Sequence, residues 1–158
     1  MKKIRILFVC LGNICRSPMA EYVMKKLACD AGLESCYEIA SAAVSSEEAG
    51  NPVYPPARRM LAAHGISCEG HAARKIRRDE YEKWDHVIGM DDSNLRMMLR
   101  IFGGDPEGKC SLLLSWAGRA DGVADPWYTG DFDATWTDVL EGCRAVLMKT
   151  RPDAGKEA

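Results

Sequence analysis

The chain has 158 residues, a length that suits one domain with a sizeable core. Apolar residues make up 47% and charged residues 28%, as in ordinary globular proteins. The formal net charge of −2 argues against a dedicated nucleic-acid-binding protein, which would carry a basic excess. The apolar run near the start is too short for a secretion signal, and no window reaches the length of a membrane span. We therefore expect a cytoplasmic protein with neither a nucleic-acid nor a membrane partner.

The seven cysteines contain no C-x-x-C pair, so zinc-ribbon and thioredoxin-like readings are weak. Without a secretion signal, reduced thiols are the default. Cys143 falls on the apolar face of a predicted helix, and we expect it to be buried. Nothing in the sequence calls for a metal or a cofactor.

Residues 4–9 form a nearly continuous apolar run, which predicts a strand buried on both faces of a parallel sheet. Gly12 and Asn13 interrupt this run, and both tolerate positive φ. Ser17 and Pro18 then predict a helix start, with Ser17 as the N-cap.

The alternation of strands and helices continues to the end of the chain. Strands are predicted at 37–44, 84–90 and 111–116, and helices at 56–64, at 79–83, from 91 onward and over 132–147. This order predicts an α/β fold: a single-domain three-layer sandwich whose central four-stranded parallel sheet has helices on both faces. We assign residues 1–152 to this domain and 153–158 to a flexible tail.

Ligands of such folds bind beyond the carboxyl ends of the strands, which directs attention to the loop that follows the first strand. Cys10 begins this loop, and Arg16 follows it after five residues. A helix N-terminus favours an anion, and the planar guanidinium of Arg16 suits bidentate hydrogen bonds to phosphate oxygens. The same field favours a thiolate at Cys10, and the Ser17 hydroxyl could add a hydrogen bond to it. The pattern predicts in-line attack of Cys10 on a bound phosphate.

The first step of such a reaction expels an alkoxide or phenoxide, which requires a general acid. Asp125 is the best candidate, because it lies in a loop between an apolar strand and the last helix. Pro126 fixes the backbone beside it, and Trp127 and Tyr128 offer aromatic walls for a flat substrate.

Residues 9–21, with the sequence VCLGNICRSPMAE, resemble the phosphate-binding signature of the low-molecular-weight protein tyrosine phosphatases. The segment DPWY at 125–128 resembles the acid loop of that family, and MDDSNL at 90–95 and HAAR at 71–74 match two further family segments. The resemblance covers residues 4–151. It implies a protein-tyrosine-phosphatase without a cofactor, acting on a phosphotyrosine-containing protein. The phosphate-binding loop would follow strand 1 and also take inorganic phosphate.

The resemblance also implies the roles of individual residues. Cys10 would be the nucleophile that forms a phosphocysteine, Arg16 would hold the phosphate, and Asp125 would be the general acid. His71 would support the loop through Asn13, and Ser17 would stabilise the thiolate. The phosphate-binding residues implied by the family signature are Leu11, Gly12, Asn13, Ile14, Cys15, Arg16 and Ser17. Cys15 would also be a redox partner that traps oxidised Cys10 as a reversible disulfide.

Two segments depart from the family pattern: Ala42 stands where the family usually has a Gly after the Ser, and the loop at 45–50 differs at the pocket mouth. Bulky residues often line the pocket mouth where this chain has Glu47 and Glu48. We expect Glu47 to lie at the substrate pocket beside Trp127 and Tyr128, where its charge would favour basic flanking sequence or weaken peptide binding. The alternative is an ordinary solvated loop. We expect a monomer, with a weak dimer as the alternative.

Four other functions compete with phosphotyrosine hydrolysis. One is nucleotide binding by a flavodoxin-like protein, but the loop lacks the Gly-x-x-x-x-Gly-Lys pattern of a nucleoside triphosphate P-loop. Protein-arginine phosphatases of this fold resemble the chain but carry Thr at the position of Ile14, whose hydroxyl can orient water. Arsenate reductases need two further thiols after the third strand, and residues 84–108 contain no Cys. A non-catalytic phosphoprotein-binding module would typically lack the nucleophile, the Arg or the acid, and all three are present.

Overall fold

The computed structural model describes residues 2–153. One sheet of four parallel strands has the order β2-β1-β3-β4. The strands are β1 (Ile4–Cys10), β2 (Tyr37–Ala43), β3 (His86–Gly89) and β4 (Cys110–Leu112). The α-helices are α1 (Arg16–Asp30), α2 (Pro55–Ala63), α3 (Asp92–Phe102), α4 (Pro126–Thr129) and α5 (Phe132–Thr150). Short 3₁₀ helices span Glu34–Cys36, Arg78–Glu82 and Leu113–Ala117.

The central strand β1 is buried on both faces, which explains its continuous apolar sequence. Ile6 and Phe8 face one core, together with residues of α1, α2 and α5. Leu7 and Val9 face a second core, which contains Met98 of α3. The predicted three-layer α/β sandwich is therefore confirmed, with helices on both faces of a four-stranded parallel sheet.

Two predicted strands are shorter than expected. The strand predicted at 111–116 occupies only Cys110–Leu112, and the apolar residues that follow form the 3₁₀ helix Leu113–Ala117. Leu113 and Leu114 are fully buried, and a short buried run does not by itself distinguish a strand from a helical turn. The strand predicted at 84–90 pairs only over His86–Gly89. Trp84 is buried in the second core without joining the sheet.

Residues 154–158 of the predicted tail lie outside the described part of the chain, and residues 151–153 form a turn after α5. No helix between residues 2 and 153 combines the length and apolarity needed to cross a bilayer. All seven cysteines are free, and Cys143 is fully buried, as predicted.

Candidate active site

The loop from β1 to α1 lies at the carboxyl edge of the sheet, where β1 has neighbours on both sides. Asn13 has φ 60°, the one positive φ outside glycine among residues 2–153, so the loop turns sharply there. Gly12 does not use its tolerance of positive φ. Gly12 instead permits a close approach, since an added Cβ would lie 3.2 Å from Cγ of Glu48.

The side chain of Asn13 is fully buried and holds the loop by three hydrogen bonds. Its Nδ2 donates to the hydroxyls of Ser17 at 2.8 Å and Ser41 at 2.9 Å. Its Oδ1 accepts the backbone N–H of Arg74 at 3.2 Å. These bonds satisfy a buried amide and offset the strain of its left-handed backbone.

His71 supports the same turn from outside. Its Nε2 lies 2.8 Å from the carbonyl oxygen of Asn13, so Nε2 carries the hydrogen and donates it. The contact that the family resemblance implied between His71 and Asn13 is therefore present.

The sulfur of Cys10 lies at the end of β1 and is almost fully buried. Ser17 Oγ lies 3.0 Å from it, and the backbone N–H of Asn13 donates to it at 3.3 Å. Ser17 Oγ accepts from Asn13, so its one hydrogen has two acceptors within reach: the Cys10 sulfur at 3.0 Å and the carbonyl oxygen of Ala42 at 3.4 Å, of which the sulfur is the nearer. The expectation that Ser17 caps α1 is wrong: α1 begins at Arg16 with Cys15 as its N-cap residue, and Ser17 lies inside the first turn.

The guanidinium of Arg16 is 2% exposed and is held beside the sulfur by groups from two distant segments. Its Nη1 donates to Asp91 Oδ2 at 2.7 Å and to the carbonyl of Val123 at 2.9 Å. Its Nη2 lies 3.4 Å from Asp125 Oδ2. Burial alone would lower the pKa of Arg16, but the Cys10 sulfur and the two carboxylates outweigh burial and raise it. Arg16 therefore stays charged inside the protein.

Asp125 caps the short helix α4, where the sequence predicted only a loop. Its Oδ1 accepts the backbone N–H of Trp127 at 3.1 Å, and Pro126 occupies the first helical position. The Asp-Pro pair is a recognised helix-start signal that could have identified this helix from sequence. The cap holds the carboxyl group at the pocket that Cys10 and Arg16 also line.

Both aromatic and acidic side chains line this pocket. Trp127 and Tyr128 line it and are 52% and 77% exposed. Tyr54 supports Trp127, with ring centroids 4.8 Å apart. Glu47, Glu48 and Ser45 also line the pocket, and Asn51 Nδ2 donates to Glu48 at 2.6 Å. Glu47 thus lies at the pocket, where we expected it.

Cys15 lines the same pocket and is 4% exposed. Burial, with added repulsion from Cys10 and Asp125, raises the pKa of Cys15 to about 12. Its thiol therefore stays protonated at neutral pH while the protein is reduced.

The structure brings together every site residue proposed from the sequence. The pocket is lined by Cys10, Leu11, Gly12, Ile14, Cys15, Arg16, Glu47, Asp125, Trp127 and Tyr128, while Asn13 and Ser17 are buried behind it and His71 supports it. Sequence reasoning missed the contributions of Asp91, Ser41 and Glu21. For Asp91 a signal existed, because it lies in one of the matched family segments. The same holds for Glu21, the last residue of the matched segment 9–21, whereas Ser41 carries no local signal.

The proteins that this chain resembles in sequence and in structure are phosphatases, which agrees with the geometry of the site. The family model described as "Low molecular weight phosphotyrosine protein phosphatase" matches residues 5–155. The low molecular weight protein-tyrosine-phosphatase YfkJ of Bacillus subtilis is 36% identical over 152 residues, 95% of this chain and 97% of that protein. Its crystal structure matches with a TM-score of 0.91 at 34% identity, covering 94% of this chain and 95% of that one.

Two further relatives broaden the comparison. The low molecular weight phosphotyrosine protein phosphatase of Rattus norvegicus is 38% identical over 152 residues, 92% of this chain and 94% of that protein. The crystal structure of the Drosophila arginine phosphatase DARP matches with a TM-score of 0.84 at 32% identity, covering 97% of this chain and 99% of that one. The chain belongs to the low molecular weight phosphotyrosine protein phosphatase family.

Proposed function

We propose that the protein hydrolyses phosphotyrosine in proteins through a phosphocysteine on Cys10, with Asp125 as the general acid. One observation carries this proposal: the Cys10 sulfur, the Arg16 guanidinium and the Asp125 carboxyl line a single pocket. A nucleophile, an anion-binding fork and a proton donor are the groups that displacement at phosphorus needs.

In the first step, the Cys10 thiolate attacks phosphorus and the bond from phosphorus to the tyrosine oxygen breaks. Asp125, as a carboxylic acid, gives its proton to that oxygen, and tyrosine leaves as a neutral phenol. Arg16 Nη1 is occupied by Asp91 and Val123, so we assign the Nε–Nη2 edge of the fork to the phosphate oxygens. The Ser17 hydroxyl stabilises the thiolate before attack and whenever the sulfur leaves.

In the second step, water attacks phosphorus and the phosphorus–sulfur bond breaks. The Asp125 carboxylate takes a proton from the water, which restores the acid, and the electron pair of the broken bond restores the Cys10 thiolate. Inorganic phosphate remains in the loop and then departs. No cofactor takes part in these two steps.

The aromatic wall supports a phosphotyrosine side chain as the substrate. Trp127 and Tyr128 line the pocket together with Cys10 and Asp125, so a tyrosine ring entering toward Cys10 would meet aromatic surface. We further propose that the protein acts in the cytoplasm as a monomer. The seven free cysteines suit a reducing compartment.

Hydrolysis of protein phosphoarginine is the second candidate, because a Drosophila arginine phosphatase has the same fold at 32% identity. Ile14 argues against it. This side chain lines the pocket and offers no hydroxyl to orient water toward a phosphoramidate.

The test compares kcat/KM for matched phosphotyrosine and phosphoarginine peptides. We expect phosphotyrosine to be preferred, Cys10→Ser to abolish turnover, and Asp125→Asn to lower kcat/KM by about 10²–10⁴-fold. A preference for phosphoarginine would shift the proposal to the second candidate. Phosphopeptide binding without turnover by the reduced protein would instead support a binding module.

A further inference from the structure

Arg119 links the segment 119–125, which leads to Asp125, to helix α5 through hydrogen bonds and ion pairs. Its Nη1 donates to Asp138 Oδ1 at 2.8 Å and lies 3.3 Å from Glu141 Oε2, and both acids belong to α5. Its Nε donates to Asp121 Oδ1 at 3.0 Å within its own segment. The hydrogen bonds with Asp121 and Asp138 raise the pKa of Arg119, so the side chain stays charged throughout the working range of pH. One guanidinium thus joins three carboxylates.

Between Arg119 and Asp125, the chain is fixed against the end of β3. The N–H of Val123 donates to the carbonyl of Met90 at 2.8 Å, and its own carbonyl accepts from Arg16. Gly122 packs so closely that an added Cβ would lie 3.0 Å from the Met90 oxygen. A shift of the segment at Arg119 would therefore be transmitted along a tightly packed backbone to Asp125.

We infer that Arg119 is a positioning residue for Asp125: by tying its segment to α5, it sets where the Asp125 carboxyl meets the leaving group. The inference rests on the proposed role of Asp125 as general acid. Arg119 does not line the pocket and touches no reacting atom. Single surface ion pairs contribute little, but here one Arg bridges two elements through a network. Loss of the Arg119 side chain would change the position of the Asp125 carboxyl more than the free energy of unfolding.

The test uses two small substrates that differ in their need for an acid. Phenyl phosphate expels a poor leaving group, whereas 4-nitrophenyl phosphate expels a good one. We expect Arg119→Met to lower kcat/KM about tenfold for phenyl phosphate and about twofold or less for 4-nitrophenyl phosphate, because only the first needs a well-placed proton. Lys26→Met is the control: it removes an ion pair with Asp30 on α1. It should change neither value.

A double-mutant cycle shows whether Arg119 acts through Asp125. In the Asp125→Asn background, Arg119→Met should cause no further loss on phenyl phosphate. Equal losses on the two substrates, or a full additional loss in that background, would overturn the inference. If Arg119→Met fails to fold, Asp138→Asn serves instead, since it removes one α5 anchor and must give the same leaving-group dependence. If Asp125→Asn alone leaves kcat/KM for phenyl phosphate unchanged, the acid role itself fails.

Discussion

The Ser41 hydroxyl lies 2.5 Å from the Glu21 carboxylate and donates to it, although the two residues are only 5% and 7% exposed. Lys25 Nζ lies 2.6 Å from the other carboxylate oxygen and balances its charge at the surface. Because Ser41 gives its hydrogen to Glu21, its oxygen accepts from Asn13. Asn13 in turn donates to Ser17, whose hydrogen then points to the Cys10 sulfur at 3.0 Å, a nearer acceptor than the Ala42 carbonyl at 3.4 Å. A relay of oriented hydrogen bonds thus connects Glu21 with the sulfur.

Ser41→Ala should weaken both the fold and the reaction. It leaves one Asn13 hydrogen and one Glu21 oxygen without a partner, which costs about 1–3 kcal/mol of unfolding free energy. We expect kcat/KM to fall about tenfold, equivalent to about 1.4 kcal/mol of transition-state stabilisation. Urea denaturation and steady-state kinetics measure the two effects. Ser93→Ala, at an exposed position of helix α3, is the control. If Ser41→Ala matches this control, the relay has no role.

Cys15 should protect Cys10 against irreversible oxidation. Peroxide converts the Cys10 thiolate to a sulfenic acid, and the Cys15 thiol can then form a disulfide with it, releasing water. The pKa of about 12 keeps Cys15 itself from reacting with peroxide first. After brief peroxide treatment, we expect dithiothreitol to restore the wild type and Cys29→Ser but not Cys15→Ser. Equal recovery of all three would contradict the protective role.

Glu47 and Glu48 should make the enzyme sensitive to the charges that flank phosphotyrosine. Arg16 is almost fully buried, whereas Glu47 is exposed at the mouth. We expect Glu47→Gln to raise kcat/KM for an acidic peptide about two- to fivefold and to lower it for a basic one, with both effects reduced by salt. The control is Glu69→Gln, which removes one negative charge outside this pocket. Unchanged ratios between the peptides would favour a solvated loop without a role in specificity.

Glu80 should contribute stability that disappears in acid. Burial alone would raise the pKa of Glu80, but hydrogen bonds from Arg74 and from the Arg77 N–H outweigh burial and hold that pKa below its ordinary value of 4.5. The unfolded chain therefore binds a proton first as the pH falls. This contribution is complete above about pH 4.5 and is lost as the pH falls through the folded value.

Glu80→Gln should therefore lower the free energy of unfolding by about 1.5–3 kcal/mol at pH 7. The difference in unfolding free energy between wild type and Glu80→Gln should become smaller in urea titrations at successively lower pH, below about 4.5. Glu82→Gln, a change at an exposed neighbour, provides the control. If the difference in unfolding free energy stays constant or grows in acid, the carboxylate charge of Glu80 is not stabilising.

The sequence was informative where chemistry and local structure coincide. The apolar run of β1 predicts a buried strand, and the segment from Cys10 to Arg16 predicts an anion site, because each depends on neighbouring residues. The partners of Arg16 could not be predicted in this way. Asp91 lies 75 positions further along the chain and Val123 lies 107 positions further, and only the packing of β3 and of residues 119–125 brings them near.

Other errors arose from competing local signals. Ser17 followed by Pro18 resembles a capped helix start, but the Ser17 hydroxyl is turned to Cys10 and Asn13 instead. Leu113 and Leu114 have a strand-like apolar pattern, yet they pack into the core from a 3₁₀ helix. In both cases, a tertiary contact outweighed the local preference.

A rapid-quench experiment on an aryl phosphate under reducing conditions tests the central claim most directly. Wild type is mixed with excess substrate, and both the released phenol and the phosphate bound to protein are measured. Our mechanism predicts a burst approaching one phenol per enzyme when the second step is slower than the first, with phosphate on the Cys10 sulfur and no burst in Cys10→Ser. Protein-bound phosphate at any other residue, or an undiminished burst in Cys10→Ser, would contradict it.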